Sequence, residues 1–264
     1  MHFSKLLGLV CAGLALGVAP ARGFEIVSWN ATRGGVSSLS DSTAYSSTRT
    51  MISTDFPGTT IVGVPTITTA ALSGTSVVWI GSGFGDSSAT TALSSSEQSA
   101  LLAFVLGGGT AVLFGENDTF DPNAPTVNNS YYSAFGAHTT GTLLGGQAYT
   151  FPSPGSFPLT GPFGTVGSLS SSYPGWFDVL PASASVVADL SANGHPVITT
   201  LGPGALGTGS GPVWMFSDTG AQSAGGVTGT GWNTLYANIL SQVPEPGSGG
   251  VLLVIGTSVV LRRR

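Results

Sequence analysis

The side chains best suited to chemistry are carboxylates bunched in one short segment. Glu116, Asp118 and Asp121, with Asn117 and Asn123 among them, follow the apolar run Thr110–Phe114 (TAVLF). Hard oxygen donors gathered in one loop suit Ca²⁺, which makes Glu116, Asp118 and Asp121 candidate metal ligands. The same residues also describe a solvated acidic loop, and the run lacks the glycine and distal glutamate of an EF-hand. Asp86, beyond Ser76–Ile80 (SVVWI), and Asp218, beyond Pro212–Phe216 (PVWMF), follow two other strand-like runs. If all three runs are strands of one parallel sheet, their carboxyl ends share an edge, and that edge favours ligand sites. Asp86 and Asp218 would then extend the loop into an acidic pocket.

Other chemistries fare worse. The single cysteine is Cys11, inside a segment expected to be removed, so the mature chain has no thiol nucleophile, disulfide or thiolate metal site. A serine nucleophile on a Gly-x-Ser-x-Gly elbow is missed twice. Gly81-Ser82-Gly83-Phe84-Gly85 places its serine one position early, and Gly207-Thr208-Gly209-Ser210-Gly211 one position late. His138 and His195 have no ligating residue at the close spacing of zinc motifs and read as loop histidines. Trp176 and the Tyr131-Tyr132 pair either stack on sugars or anchor loops by burying apolar area.

Composition narrows the partners. Only 7% of the 264 residues are charged, against about 25% in an average soluble protein. No Lys or Arg occurs between Arg49 and Arg262. Nucleic-acid binding, which needs cations to displace phosphate counterions, is excluded on that ground. Abundant Gly, Ser and Thr describe a surface solvated by hydroxyls rather than by charge, as on an extracellular protein.

The elements that must hold the carboxylates can be read from periodicity. Phe24–Trp29 and Thr60–Val64 read as strands, and Ser76–Ile80 as a buried one. Ser37–Asp55 could hold a helix capped near Ser40 or Asp41. Ser94 and Glu97 stand at capping-box spacing before an apolar face of Ala100, Leu101, Phe104 and Val105. Gly107-Gly108-Gly109 suits a left-handed helix end, and Thr110–Phe114 follows as a second buried strand. Strand, helix and strand imply parallel pairing with a right-handed crossover. Residues 121–185 read as long loops or short added strands. Val186–Leu190, Pro196–Leu201 and Pro212–Phe216 then read as successive strands, partly antiparallel. Trp232–Val243 closes the body as a helix with Leu235, Ile239, Leu240 and Val243 on one face.

In the SVVWI strand, the LSSSEQSALLAFVLGGGTAVLF unit, the strand ending Phe216-Ser217-Asp218 and the final helix with Asn233 and Asn238-Ile239-Leu240, the body resembles the class I glutamine amidotransferase-like superfamily. The likeness is to its non-catalytic and ThuA-like members, and it covers most of residues 24–243. It implies an α/β, flavodoxin-like or amidotransferase-like three-layer domain with a mainly parallel sheet and an added β/loop region. Because the body has no cysteine, the resemblance carries no glutaminase activity.

Both ends carry addresses. Residues 1–21 have the parts of a signal peptide: Lys5, an apolar stretch Leu6–Val18, and Ala19-Pro20-Ala21 before a cut expected after Ala21. The apolar stretch is short for a membrane anchor, and Cys11 lies in its middle rather than at a lipoprotein cleavage site. The body is expected to span residues 22–242. Residues 243–264 hold Val243-Pro244-Glu245-Pro246, a glycine joint, a transmembrane segment at 249–261 and Arg262-Arg263-Arg264. That segment would make a helix of about 20 Å. The arginines would stay cytoplasmic.

This tail resembles the PEP-CTERM sorting signal of Gram-negative bacteria. The resemblance implies processing by an exosortase-type enzyme after signal peptidase, an inner-membrane anchor before that step, and a final place at the cell surface or in an extracellular matrix with exopolysaccharide. Together these readings describe an exported protein with a non-catalytic, structural or binding body. The competing reading is a hydrolase acting on surface glycans through the acidic pocket.

Overall fold

A computed structural model of the chain describes residues 23–35, 38–41, 43–81, 91–119, 123–219 and 231–243. The expected signal peptide, Asp86, Asp121, Pro244-Glu245-Pro246, the apolar segment 249–261 and Arg262–Arg264 lie outside the described residues.

The first half alternates strands and helices. It runs β1 (Glu25–Trp29), a single turn α1 (Ala31–Gly34), α2 (Ser46–Asp55), β2 (Thr60–Val64), β3 (Val77–Gly81), α3 (Ser95–Leu106) and β4 (Thr110–Phe114). After α4 (Ala124–Tyr132) come short strands β5 (His138–Thr140), β6 (Gln147–Thr150), β7 (Thr160–Gly161), β8 (Gly164–Thr165), β9 (Ser170–Ser171) and β10 (Trp176–Val179). The body closes with β11 (Ala184–Leu190), β12 (Pro196–Leu201), β13 (Val213–Phe216) and α5 (Gly231–Leu240).

Nine strands form one sheet in the order β2-β1-β3-β4-β13-β12-β11-β6-β9. From β2 to β13 every pairing is parallel. From β13 to β9 every pairing is antiparallel. The added strands therefore contribute as many pairings as the parallel half. The parallel order is that of a flavodoxin-like doubly wound sheet, with β13 as its fifth strand.

Alternation along the buried strands builds two cores. Ile26, Val77, Trp79, Val112, Phe114, Trp214 and Phe216 pack on one face with residues of α2 and α5. Val27, Val78, Ile80, Ala111, Leu113, Val213 and Met215 pack on the other with residues of α3 and α4. The result is the three-layer arrangement that a sheet buried on both sides requires.

Local signals act largely as expected. The Ser94 hydroxyl accepts from the Glu97 N–H, and the Glu97 carboxylate accepts from the Ser94 N–H at 2.9 Å. The left-handed residue after α3 is Gly108, with φ of 100°. Two expectations change. The helix expected from Ser40 or Asp41 begins only at Ser46. Asp41 instead accepts from the Ala31 N–H at 2.8 Å. It serves the free amide of α1, and that bond, with donors from Ser40 and Ser38, holds its pKa below the ordinary value against the effect of burial. Helix α4 also lies where loops were expected. Its Asn-Asn-Ser-Tyr-Tyr stretch has poor helix propensity, but Val127, Tyr131 and Tyr132 are buried against the sheet, and tertiary packing outweighs propensity. Among the described residues, no helix is long and apolar enough to cross a membrane.

Candidate functional site

The carboxyl ends of β4 and β13 lie side by side, with Phe114 registered to Phe216. Their rings stack with centroids 4.5 Å apart. Beyond them the Gly115 N–H donates to the Phe216 carbonyl at 2.7 Å. A Cβ on Gly115 would stand 3.1 Å from the Tyr132 hydroxyl and 3.3 Å from Asn128 Cγ, so glycine is what lets α4 approach this edge.

Helix α4 closes the strand ends. The Tyr131 hydroxyl donates to the Phe114 carbonyl, and the Tyr132 hydroxyl donates to the Phe216 carbonyl at 2.6 Å. Burial, then the neighbouring Tyr131, pushes the Tyr132 pKa well above the usual tyrosine range. The phenol therefore stays a donor. Asn128 holds the backbone of Glu116 in both directions. Its Oδ1 accepts from the Glu116 N–H at 3.0 Å, and its Nδ2 donates to the Glu116 carbonyl at 2.6 Å. The tyrosine pair is thus a buried anchor and not a stacking platform.

Glu116 is 3% exposed. Its Oε1 accepts from the backbone N–H and the Nδ2 of Asn117 at 2.8 and 2.7 Å. Its Oε2 accepts from the Thr219 hydroxyl at 2.5 Å. Thr219 follows Asp218, which is itself buried. The Asp218 charge adds to burial in raising the pKa values of Tyr132, Tyr149 and Tyr236. The structure thus places Glu116 and Asp218 beyond neighbouring strand ends, on one edge of the sheet.

Asp118 turns elsewhere. Its Oδ2 accepts from the Gly141 N–H and from the Thr140 hydroxyl, the latter at 3.2 Å. This docks the acidic loop on the end of β5. Its Oδ1 is buried with no hydrogen-bond partner among the described residues. Ca²⁺ takes about six to eight oxygens. Among the described residues no three His, Cys, Asp or Glu side chains gather as metal ligands.

The histidines are not part of this edge. His138 Nδ1 lies 2.6 Å from Asp178 Oδ1, two exposed side chains on the β5–β10 ribbon. His195 stacks on Trp176 at 5.0 Å with ring planes 11° apart, so Trp176 is covered by a protein ring.

One charged group near the topological switch point between β1 and β3 escaped the sequence reading as a site residue. Arg33, just past β1, meets Glu97 at 2.8 Å. It also donates to the carbonyls of Pro65, Thr91 and Ala92. Its guanidinium lies 4.7 Å from the Trp29 ring centroid, within cation–π range. Burial alone would raise the Glu97 pKa, but Arg33 and donors from Ser94 and Ile67 hold it below its ordinary value. The available signal was the rarity of the residue: a lone arginine after a strand, in a body nearly devoid of cations, had to have a partner.

No family model matches the chain. No curated protein matches it either. Solved structures do. The N-terminal domain of mmIFT52 aligns with a TM-score of 0.58 at 12% identity, over 83% of this chain and 96% of that one. The cytoplasmic protein STM3548 from Salmonella typhimurium aligns at 0.56 and 13% identity, over 84% and 100%. A ThuA-like protein from Bacteroides uniformis aligns at 0.51 and 12% identity, over 86% and 93%. The body shares its α/β fold with these proteins. At these identities the likeness speaks for the fold and carries no activity with it.

Proposed function

We propose that this chain is an exported, surface- or matrix-associated protein whose amidotransferase-like body binds or supports rather than catalyses. The observation that carries the non-catalytic reading is how the polar groups of the sheet edge are engaged. The Glu116 carboxylate takes donors from Asn117 and Thr219, and Arg33 takes Glu97 and three carbonyls. Each of these groups completes a protein contact, whereas a catalytic base needs reach to a substrate proton. Export rests on residues 1–21 and sorting on Val243-Pro244-Glu245-Pro246 with Arg262–Arg264.

The proposed route is signal peptidase, a transient inner-membrane anchor through 249–261, an exosortase-type enzyme, and then the surface or an exopolysaccharide matrix. Replacing Glu245 by Ala should leave a membrane-held, unprocessed chain, seen as a larger band in the membrane fraction. Normal processing would reject the sorting reading.

A second reading is favoured by one observation, the burial of Glu116 and Asp218 on neighbouring strand ends. Glycoside hydrolysis uses two carboxyl groups that flank the scissile bond. Incubation with exopolysaccharide decides between the two readings. No released sugar from the parent supports the binding role. Release that Glu116→Gln abolishes establishes the hydrolase.

A further inference from the structure

The two outer strands of the nine-stranded sheet are unlike. On one side β9 is only the pair Ser170–Ser171, and so short a strand offers little to pair with. On the other side β2 runs five residues, Thr60-Ile61-Val62-Gly63-Val64, in unbroken parallel register with β1. Outer strands are usually blunted by a charge, a proline or a bulge within them. β2 has none of these, and no charged residue occurs from Phe56 to Gly85.

The ladder with β1 shows which backbone groups of β2 are free. The Thr60 N–H donates to the Phe24 carbonyl, and the Val64 carbonyl accepts from the Asn30 N–H, both at 3.0 Å. Successive residues of a strand aim their N–H and C=O to opposite sides. Thr60, Val62 and Val64 therefore bond toward β1, and Ile61 and Gly63 point theirs outward. Among the described residues, no group of the chain bonds the N–H or carbonyl of Ile61 or Gly63. Such groups take water or a partner strand. Pro65 has no N–H and its carbonyl accepts from Arg33 at 3.0 Å, so the free ladder ends at Gly63. Between the two outward residues stands Val62, an apolar side chain that is 39% exposed.

We infer that β2 is a docking edge for a second copy of this chain, the two β2 strands running antiparallel about a two-fold axis at Val62. In that register Ile61 of each copy exchanges both backbone bonds with Gly63 of the other, so one contact completes every free group. Val62 meets its own counterpart as a non-hydrogen-bonded pair with Cα atoms about 4.5 Å apart, and the two exposed valines cover each other. Ile61 faces a glycine, which leaves room for its side chain. A partner recognised by charge has nothing to read on this strand, whereas a copy meets it without repulsion. Such a contact uses the same patch on both subunits and closes at a dimer. The inference goes beyond the role proposed above and does not depend on it.

The test uses the full-length chain and two measurements. In sedimentation from about 10 μM to about 1 mM chain, the parent should form a dimer. Val62→Lys sets like charges opposite each other at the axis and should weaken that dimer about tenfold or more. Val62 is exposed, so this change leaves the core intact. An equimolar mixture of Val62→Lys and Val62→Glu should recover the dimer, because the two-fold register brings those side chains together. The second measurement is oxidative cross-linking with Cys11→Ser, so that an introduced cysteine is the only thiol. Val62→Cys should give a covalent dimer, since the paired Cα atoms are within disulfide reach. Thr60→Cys should not, because Thr60 faces Val64 in this register and lies about 13 Å along the strand from its own counterpart. A monomeric parent leaves the edge to water or to a strand of another protein and overturns the proposal. Parent-like association in Val62→Lys places the contact elsewhere, as in the apolar segment 249–261, and also overturns it. So does a mixture that fails to re-associate, or Thr60→Cys cross-linking as readily as Val62→Cys.

Discussion

Two buried glutamates stand on the same edge of the sheet and are stabilised in different ways. Glu97, at the start of α3, meets a guanidinium and also completes a capping box. The described partners of Glu116, beyond β4, are the neutral donors of Asn117 and Thr219. The first arrangement joins distant segments, because Arg33 reaches Glu97 and three carbonyls in two other loops, at Pro65 and at Thr91-Ala92, from just after β1. The second shapes one loop and fastens it to the turn after β13. The contrast shows two ways in which a cation-poor protein engages a buried carboxylate, one through a guanidinium and one through neutral donors. Glu97 closes the switch-point side of the edge, and Glu116 closes the β4–β13 side.

The contrast can be broken or sharpened by substitution. The largest effect is expected from Arg33→Ala, which leaves Glu97 buried without its cation. Removing one partner of a buried pair costs about 3–5 kcal/mol, measurable by urea unfolding. A loss under about 1 kcal/mol would mean that the pair behaves as a surface contact. The double replacement Arg33→Met with Glu97→Leu should recover much of that loss, since neither charge is then stranded.

Next is Asn238→Ala in α5. Asn238 is fully buried. Its amide donates to the Pro158 and Gly164 carbonyls at 2.9 and 3.1 Å, and its carbonyl accepts from the Phe163 N–H at 2.9 Å. Losing these should cost about 2 kcal/mol and loosen the β7–β8 hairpin, visible as faster amide exchange at Phe163. Glu116→Gln keeps the shape and most of the acceptors and should cost about 1 kcal/mol, well below Arg33→Ala. A larger loss would place Glu116 on a par with Glu97.

The pH dependence of stability follows from Glu97. The folded-state pKa of Glu97 lies below its ordinary value of 4.5. Its stabilisation is therefore present above that value and is lost as pH falls through the lowered folded pKa. Asp41 acts in the same direction. In Arg33→Ala, acid unfolding should lose the share contributed by Glu97, so its stability profile should be flatter below about pH 4.5. The smallest effect is expected from His138→Ala. The His138–Asp178 contact is exposed, and such pairs contribute within about 0.5 kcal/mol.

Much of the body was legible because its signals are local. The run Ser76–Ile80, the capping box at Ser94 and Glu97, Gly108 and the apolar stripe of α5 each act through neighbours in sequence. Helix α4 was not legible, because its reason to be helical is a tertiary one: Val127, Tyr131 and Tyr132 bury against the sheet, and the tyrosine hydroxyls satisfy carbonyls at two strand ends. The acidic loop was legible as a cluster but not as an arrangement. Adjacency in sequence put Glu116 beside Asp118, whereas the fold couples Glu116 to Thr219 and Asp118 to Gly141.

The sequence alone determined the chemistry that the body lacks, since no cysteine follows Cys11 and no cation lies between Arg49 and Arg262. It also determined the alternation of buried strands and helices, because period and capping are properties of short segments. Only the tertiary structure decided which carboxylates are engaged by which donors, and that Arg33 joins Glu97. These are pairings between residues distant in sequence, set by strand order and register, and no local pattern encodes them.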